Sequence, residues 1–155
     1  MTIYLISLLA GFLGGLRAFI PLALVSWLAY FEWIGTPDSW LRYFANPWTV
    51  GILTILALVE LVTDQLPSTP SRKAPVQFGA RIISGAISGA AIGTTSGKII
   101  AGIIAGIIGA VLGTFFGHFF RTALASKLGN DHPAALIEDA LAFALVLLIM
   151  FGLSV

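Results

Sequence analysis

Ionised side chains that interrupt apolar stretches are the residues of this sequence best suited to chemistry. An ionised group at the centre of a bilayer costs about 2.5 to 3.5 kcal/mol on insertion scales, so such residues should face inward and bind each other or a ligand. We therefore predict a substrate- or ion-binding site at membrane depth, in which carboxylates bind a cation or a proton and arginines bind an anionic group. The residues predicted for this site are Arg17, Glu60, Asp64, Arg81, Arg121, Glu138 and Asp139.

The spacing of these residues limits how they can meet. Glu60 and Asp64 are four residues apart and share one face of a helix, whereas Glu138 and Asp139 are adjacent and diverge by about 100°. Only one of the second pair can then point directly at a shared site. Arg17 and Glu60 both lie deep in their apolar stretches, which predicts an ion pair between them.

Two functions fit this pattern of buried charge. The favoured one is a small transporter or channel for an ion or a small polar solute. The alternative is a structural, lipid-binding or accessory subunit, in which the charges form internal pairs that lock helices together. A short internal sequence similarity favours the first function. Residues 11–17 and 113–121 are both rich in glycine and end in arginine; the first segment precedes a stretch with Glu60 and the second precedes one with Glu138 and Asp139. Such a similarity is typical of an inverted repeat, the arrangement that places transporter sites at the repeat interface.

Other chemistries lack the residues that they need. The sequence has no cysteine, and its two histidines, His118 and His132, are too far apart for a zinc-ligand pattern. Serine, histidine and acidic residues have no spacing typical of a nucleophilic enzyme, and the glycine-rich stretches lack a phosphate-binding Gly-Lys-Ser/Thr terminus. We expect no catalytic residues, no metal, no cofactor and no nucleic-acid partner.

The composition indicates a lipid-facing surface. Of 155 residues, 58% are hydrophobic and 10% are charged, and the mean hydropathy is +1.00. The 8 basic and 7 acidic residues cannot cover the surface of a soluble domain of this size, whereas membrane lipids can. We predict one all-α domain over residues 1–155, a polytopic transmembrane helical bundle.

The apolar stretches predict about five spans, near residues 3–31, 49–66, 79–95, 99–120 and 133–153. As one helix the first stretch would be about 43 Å long, whereas the hydrocarbon core of a bilayer is about 30 Å thick. We predict one span with a middle weakened by Gly14, Gly15 and Pro21. A broken or re-entrant helix is the alternative.

The connections predict the orientation. Residues 68–75 and 121–132 are predicted polar connections after the second and fourth spans. With their borders they hold five basic residues, against two in the connections after the first and third spans: Arg72, Lys73, Arg81, Arg121 and Lys127 against Arg42 and Lys98. By the positive-inside rule, this count predicts a cytoplasmic N-terminus in a bacterial inner membrane or an equivalent one.

Glycines recur at helical spacing in the third and fourth spans. Their rows lie along single helix faces, where two backbones can approach closely. We predict glycine-zipper packing within the bundle or between subunits of a homo-oligomer, most simply a dimer; a glycine-lined pore is the less favoured alternative. The predicted packing residues are Gly85, Gly89, Gly93, Gly102, Gly106, Gly109, Gly113 and Gly117, with Gly97 continuing the first row.

Four segments carry a resemblance to a known family: residues 14–19 (GGLRAF), 60–67 (ELVTDQLP), 81–86 (RIISGA) and 138–142 (EDALA). They resemble the bacterial membrane proteins catalogued as domain of unknown function 4126, over most of the chain. Gln65 stands where that family usually has lysine, in the element Glu-x-x-x-Asp-Lys-x-Pro. The resemblance implies a membrane protein and marks the charged positions, and it implies no particular substrate.

Overall fold

The computed structural model describes residues 3–35, 38–65 and 74–154. Within these ranges every regular secondary-structure element is a helix, which confirms the predicted all-α class. The six α-helices are α1 (Ile3–Leu16), α2 (Phe19–Tyr30), α3 (Pro47–Thr63), α4 (Pro75–Thr94), α5 (Ile99–Leu128) and α6 (Asp131–Ser154), and a short 3₁₀ helix (Trp40–Tyr43) precedes α3. The predicted polar connection at 68–75 and the end of the span at 49–66 lie largely outside the described residues.

Local signals fix several helix ends. The Asn46 side chain accepts a hydrogen bond from the N–H of Trp48 at 2.9 Å, and Pro47 opens α3, where its missing N–H has no helical partner to lose. Gly129 ends α5 with a φ of 68°, a conformation that glycine adopts without strain. The predicted connection at 121–132 is therefore wrong, because the alanine and leucine residues that follow Arg121 continue the helix to Leu128.

The first apolar stretch is two helices rather than the single predicted span. The break falls at Arg17 and Ala18, one residue beyond the glycine pair Gly14 and Gly15. Pro21 lies in the first turn of α2, where the absence of an N–H costs no helical hydrogen bond. The signals that predicted a weakened middle thus mark a complete interruption, between helices of 14 and 12 residues.

The two halves fold back on each other as a helical hairpin. Near the start of α1, the Tyr4 ring lies 4.9 Å from the Lys98 ammonium in the turn between α4 and α5. Trp40, which follows α2, donates a hydrogen bond to the hydroxyl of Thr94 at 3.1 Å, beside the same turn. The inner ends meet at the opposite end of α4, where Arg81 contacts the last turn of α1. The chain therefore enters along α1 and returns along α2, as in the re-entrant alternative.

Helix α1 packs in the centre of the bundle, antiparallel to α4 and parallel to α5. The Ser7 hydroxyl donates a hydrogen bond to the Gly89 carbonyl of α4 at 3.3 Å. A Cβ added at Gly11 would overlap the carbonyl of Gly106 on α5. Because α1 and α5 run in the same direction, the predicted inverted relation between these two segments is wrong.

Close approach of backbones is a property of the α1, α4 and α5 interfaces. A Cβ added at Gly106 would overlap the Gly85 carbonyl, and one added at Gly113 would overlap the carbonyl of Phe12. Gly97 differs, since it lies in the turn between α4 and α5 with a φ of 66°. The eight glycines predicted for packing are all buried: Gly85, Gly89 and Gly93 in α4, and Gly102, Gly106, Gly109, Gly113 and Gly117 in α5.

Beside an apolar core, the bundle buries several charged side chains and exposes many large apolar ones. Arg17 and Arg81 are the largest of the fully buried side chains, while isoleucine, leucine and phenylalanine side chains cover the outside of α3, α5 and α6. Two helices, α5 and α6, are long and apolar enough to cross a membrane, and α1, α2 and α3 are shorter apolar helices.

Candidate functional site

The charged residues predicted for the site converge at the break between α1 and α2. We call them the charged cluster, defined as Arg17, Glu60, Asp64, Arg81, Arg121, Glu138 and Asp139. Arg17 lies in the break itself and is 0% exposed. Its Nε donates to Asp139 Oδ1 at 2.9 Å, and its two terminal nitrogens form ion pairs with Asp64 and Asp139. The break therefore places a guanidinium between two aspartates, one from α6 and one that caps the end of α3.

Glu60 binds backbone N–H groups of the hairpin and does not pair with Arg17. Its carboxylate accepts hydrogen bonds from the N–H groups of Ala18 and Phe19, at 2.6 and 2.8 Å. These N–H groups lie at the start of α2, where a helix has donors without helical partners and a partial positive charge. The predicted ion pair between Arg17 and Glu60 is therefore wrong, because the helix break creates backbone donors that attract the glutamate.

Arg81 binds the opposite side of the break. Its Nη1 donates to the carbonyls of Gly15 and Leu16, at 2.9 and 2.6 Å. These carbonyls belong to the last turn of α1, which carries a partial negative charge. Its Nη2 lies 4.0 Å from Glu60 Oε1 and 3.9 Å from Asp64 Oδ2. The basic Arg81 thus binds the partly negative end of α1, and the acidic Glu60 binds the partly positive start of α2.

Both members of the adjacent acidic pair on α6, Glu138 and Asp139, reach the cluster. Asp139 contacts Arg17 directly, while Glu138, which is 0% exposed, has its Oε2 4.0 Å from Arg17 Nη2. The same oxygen of Glu138 lies 4.0 Å from Arg121 Nη1. Although the two residues diverge by about 100° on the helix, both reach the site, because the long glutamate side chain extends towards two arginines.

Arg121 connects the cluster to the surface. Its guanidinium forms two hydrogen bonds with the carboxylate of Asp131, at 3.0 and 2.6 Å, and a third with the Asp64 carbonyl at 3.0 Å. The Asp131 side chain is 58% exposed. A continuous series of charged groups therefore runs from buried Arg17 through Glu138 and Arg121 to the surface near the turn between α5 and α6.

Several polar residues of the site were not predicted. The hydroxyl of Ser84 donates to the Ala18 carbonyl, and that of Thr114 lies 3.3 Å from the Gly15 carbonyl. Both lie among the buried glycines of α4 and α5. A small hydroxyl residue on a glycine-rich helix face is the sequence feature that could have identified them. Gln65 donates a hydrogen bond to Asp139 Oδ2 at 3.4 Å. The sequence feature that could have identified Asp131 is its position at the start of an apolar stretch.

The cluster brings together charged groups of both signs. Three arginines, Arg17, Arg81 and Arg121, face the carboxylates of Glu60, Asp64, Glu138 and Asp139. Residues 3–35, 38–65 and 74–154 contain no group of three or more histidine, cysteine or acidic side chains arranged to hold a metal ion.

Comparison with known proteins identifies the family but no relative of known structure. Residues 4–152 match the model of the family described as Domain of unknown function (DUF4126). No curated protein and no solved structure is significantly similar to this chain. The match covers almost the entire sequence and agrees with the resemblance seen in the four charged and glycine-rich segments. The chain therefore belongs to the DUF4126 family.

Proposed function

We propose that this chain is an integral membrane protein that acts as a small transporter or channel and binds an ion or small polar solute at the charged cluster. The observation that carries the proposal is the position of this cluster, at the facing ends of two half-length helices buried inside the bundle. Discontinuous helices of this kind form the substrate and ion sites of many transporters, since their ends present unpaired backbone groups to the ligand.

The outer surface supports insertion in a bilayer. On α5, the side chains of Ile104, Ile108, Leu112 and Phe115 recur every three or four residues and are 47 to 54% exposed. Soluble monomers rarely expose a continuous apolar surface beyond a few hundred Å². We propose four crossing helices, α3 to α6, and a re-entrant hairpin formed by α1 and α2, in place of five spans.

The hairpin changes the proposed orientation. If α1 and α2 enter and leave on one side, both chain ends lie on the side of the turn between α4 and α5. The opposite side then carries the connection between α3 and α4, with Arg72 and Lys73, and the end of α5, with Arg121 and Lys127. By the positive-inside rule that side is cytoplasmic, for instance in a bacterial plasma membrane, so we propose a non-cytoplasmic N-terminus.

The proposed ligand class follows from the carboxylates of the cluster. A cation or proton entering the cluster would compete with Arg17 for Asp64 and Asp139. Because an arginine cannot lose its proton in a protein, the carboxylates are the groups that would accept a proton here. We therefore propose a monovalent cation or a proton as the ligand, and no enzymatic reaction.

A structural or accessory subunit is the second candidate function. It is favoured by the pairing of Arg17, Arg81 and Arg121, each of which already has a carboxylate or carbonyl partner. Such pairing is enough to hold the hairpin against the other helices without any ligand. The homo-oligomer stays a prediction. Seven of the eight glycines predicted for packing, Gly85 to Gly113, lie against other helices of the same chain, so they do not supply a subunit contact.

Flux measurements in liposomes distinguish the two functions. We expect Glu60→Gln and Asp139→Asn to lower the flux of protons or of monovalent cations by at least about tenfold, equivalent to ~1.4 kcal/mol. Asp38→Asn is the matched control, because Asp38 is exposed and lies outside the cluster. Proton flux is followed with an enclosed pH dye, and Na⁺ and K⁺ fluxes with radioactive tracers. Wild-type flux that persists in both cluster variants would place the site elsewhere, and a wild-type protein without flux would favour the structural function.

A further inference from the structure

A second feature of the molecule is a lateral groove between α2, α3 and α6, on the outside of the hairpin. Its volume is about 410 Å³. The side chains that define it are Ile20 and Leu24 of α2, Ala57 and Leu61 of α3, and Val146 and Met150 of α6. The charged cluster contributes no residue to this groove. A ligand of the groove is therefore separate from the ion or solute proposed for the cluster.

The lining suits a ligand without hydrogen-bonding groups. It is almost wholly apolar, and no charged side chain lines it. Thr54, which lines it, accepts a hydrogen bond from the Trp27 indole N–H at 3.0 Å and donates one to the Val50 carbonyl at 2.7 Å. These polar atoms are therefore satisfied inside the protein, and what the groove offers a ligand is apolar contact.

The shape of the groove is long and has distinct ends. Along α2 the lining extends from Ile20 to Phe31, which corresponds to about 16 Å of helix. The far end is aromatic: Trp27 stacks on Phe31 with ring centroids 5.5 Å apart, and Trp33 also lines it. Tryptophans at one end of an apolar surface are typical of the membrane interface. An extended hydrocarbon chain fits a groove of this length with its polar end at the aromatic side.

The surroundings of the groove indicate what fills it. Leu58 and Phe143 line its edges on α3 and α6 and are 57% and 54% exposed. If the chain is embedded in a bilayer, as the proposed function requires, these edges face lipid, and the groove opens directly to acyl chains. Its walls come from three helices, so a chain inside it has protein on several sides, whereas a chain on the convex outside of α5 has protein on one.

We propose that the lateral groove is a binding site for one hydrocarbon chain of a lipid or lipid-like amphiphile. The inference rests on the proposed membrane insertion, and it does not require that the charged cluster transports anything. It predicts that a chain in the groove exchanges more slowly with the bulk lipid than chains at the outer surface do, because it contacts more of the protein.

Photolabelling tests the site in the full-length protein reconstituted in phosphatidylcholine vesicles. A phosphatidylcholine with a diazirine in the middle of one acyl chain is the probe. We expect mass spectrometry to find severalfold more label at Leu24, Leu61 and Met150 than at Ile55 and Leu147. The last two residues lie on α3 and α6 outside the groove and are 61% and 68% exposed. Label in proportion to exposure would overturn the proposal.

Variants that fill the groove provide an independent test. We expect Ala57→Phe and Ala23→Phe, made separately, to lower the labelling of Met150 at least about tenfold, the change produced by losing ~1.4 kcal/mol of binding. Ala140→Phe is the control, because Ala140 is exposed on α6 outside the groove. Unchanged labelling of Met150 in both filled variants would overturn the proposal.

Alkaline extraction separates this inference from the proposed function. A protein that sodium carbonate removes from the vesicles is not integral, and both proposals then fail. An integral protein whose label follows exposure contradicts the groove site alone. An integral protein with label in the groove but without ion flux contradicts only the transport function.

Discussion

Replacing Arg17 by glutamine is expected to destabilise the protein by about 3 to 5 kcal/mol, the usual cost of removing one partner from a buried ion pair. Arg17 is 0% exposed and is the guanidinium that lies between Asp64 and Asp139. Glutamine keeps hydrogen-bonding capacity but carries no charge, so the two carboxylates would repel each other at the break. Thermal unfolding of the purified protein in detergent, followed by circular dichroism, measures the effect.

Removing the opposite charges should recover part of the loss. We expect Arg17→Gln combined with Asp64→Asn and Asp139→Asn to be more stable than Arg17→Gln alone, because the neutral site no longer contains unbalanced carboxylates. Arg42→Gln is the control; Arg42 is exposed and contacts the Tyr43 hydroxyl, so a change within about 0.5 kcal/mol is expected. If Arg17→Gln were as harmless as Arg42→Gln, the cluster would not hold the break together.

The second large effect is expected from Gly106→Ala. A Cβ at Gly106 would overlap the carbonyl of Gly85, so α4 and α5 would have to separate. Overpacking of a tight interface typically costs about 1 to 3 kcal/mol, and here the obstacle is backbone, which has no rotamer with which to move away. The same unfolding measurement in detergent reports the cost.

Gly79→Ala is the matched control for this substitution. Gly79 is also on α4, but a Cβ there would have no atom within 4 Å. Alanine is the better helix former by about 0.5 to 1 kcal/mol, so Gly79→Ala should be neutral or stabilising. Equal destabilisation by Gly79→Ala and Gly106→Ala would show that the close approach of α4 and α5 does not set the stability.

Much of this fold follows from local sequence signals. The glycines that recur at helical spacing on α4 and α5 are buried, and so are Arg17 and Asp139, whose cost in an apolar stretch indicated that they face inward. Both arguments depend on properties of single helices, the period of 3.6 residues and the polarity of one face, which a sequence displays directly.

The hairpin could not be derived in the same way. Gly14, Gly15 and Pro21 show where a helix is weak, but whether the chain then continues or reverses depends on partners far along the sequence. Here Arg81 binds the carbonyls that the break frees and Glu60 binds the freed N–H groups. The same long-range contacts explain why Glu60 was assigned the wrong partner, since its ligands are backbone groups that exist only once the helix is interrupted.

The break also explains why this chain buries so many charged residues. Interrupting a helix inside an apolar bundle leaves backbone donors and acceptors that cost several kcal/mol each when they have no partner. Glu60 and Arg81 satisfy them, and Arg17 and the aspartates balance the remaining charge.

Labelling of three introduced cysteines from one side of the membrane tests the re-entrant hairpin most directly. The chain contains no cysteine, so Tyr4→Cys, Ser96→Cys and Asn130→Cys each provide one thiol, at exposed positions at the start of α1, after α4 and after α5. A membrane-impermeant maleimide is applied to spheroplasts before and after permeabilisation. We expect the thiols at 4 and 96 to react in intact spheroplasts and the thiol at 130 only after permeabilisation. A thiol at position 4 that reacts together with that at 130, and not with that at 96, would show that the first apolar stretch crosses the membrane once and would contradict the re-entrant hairpin.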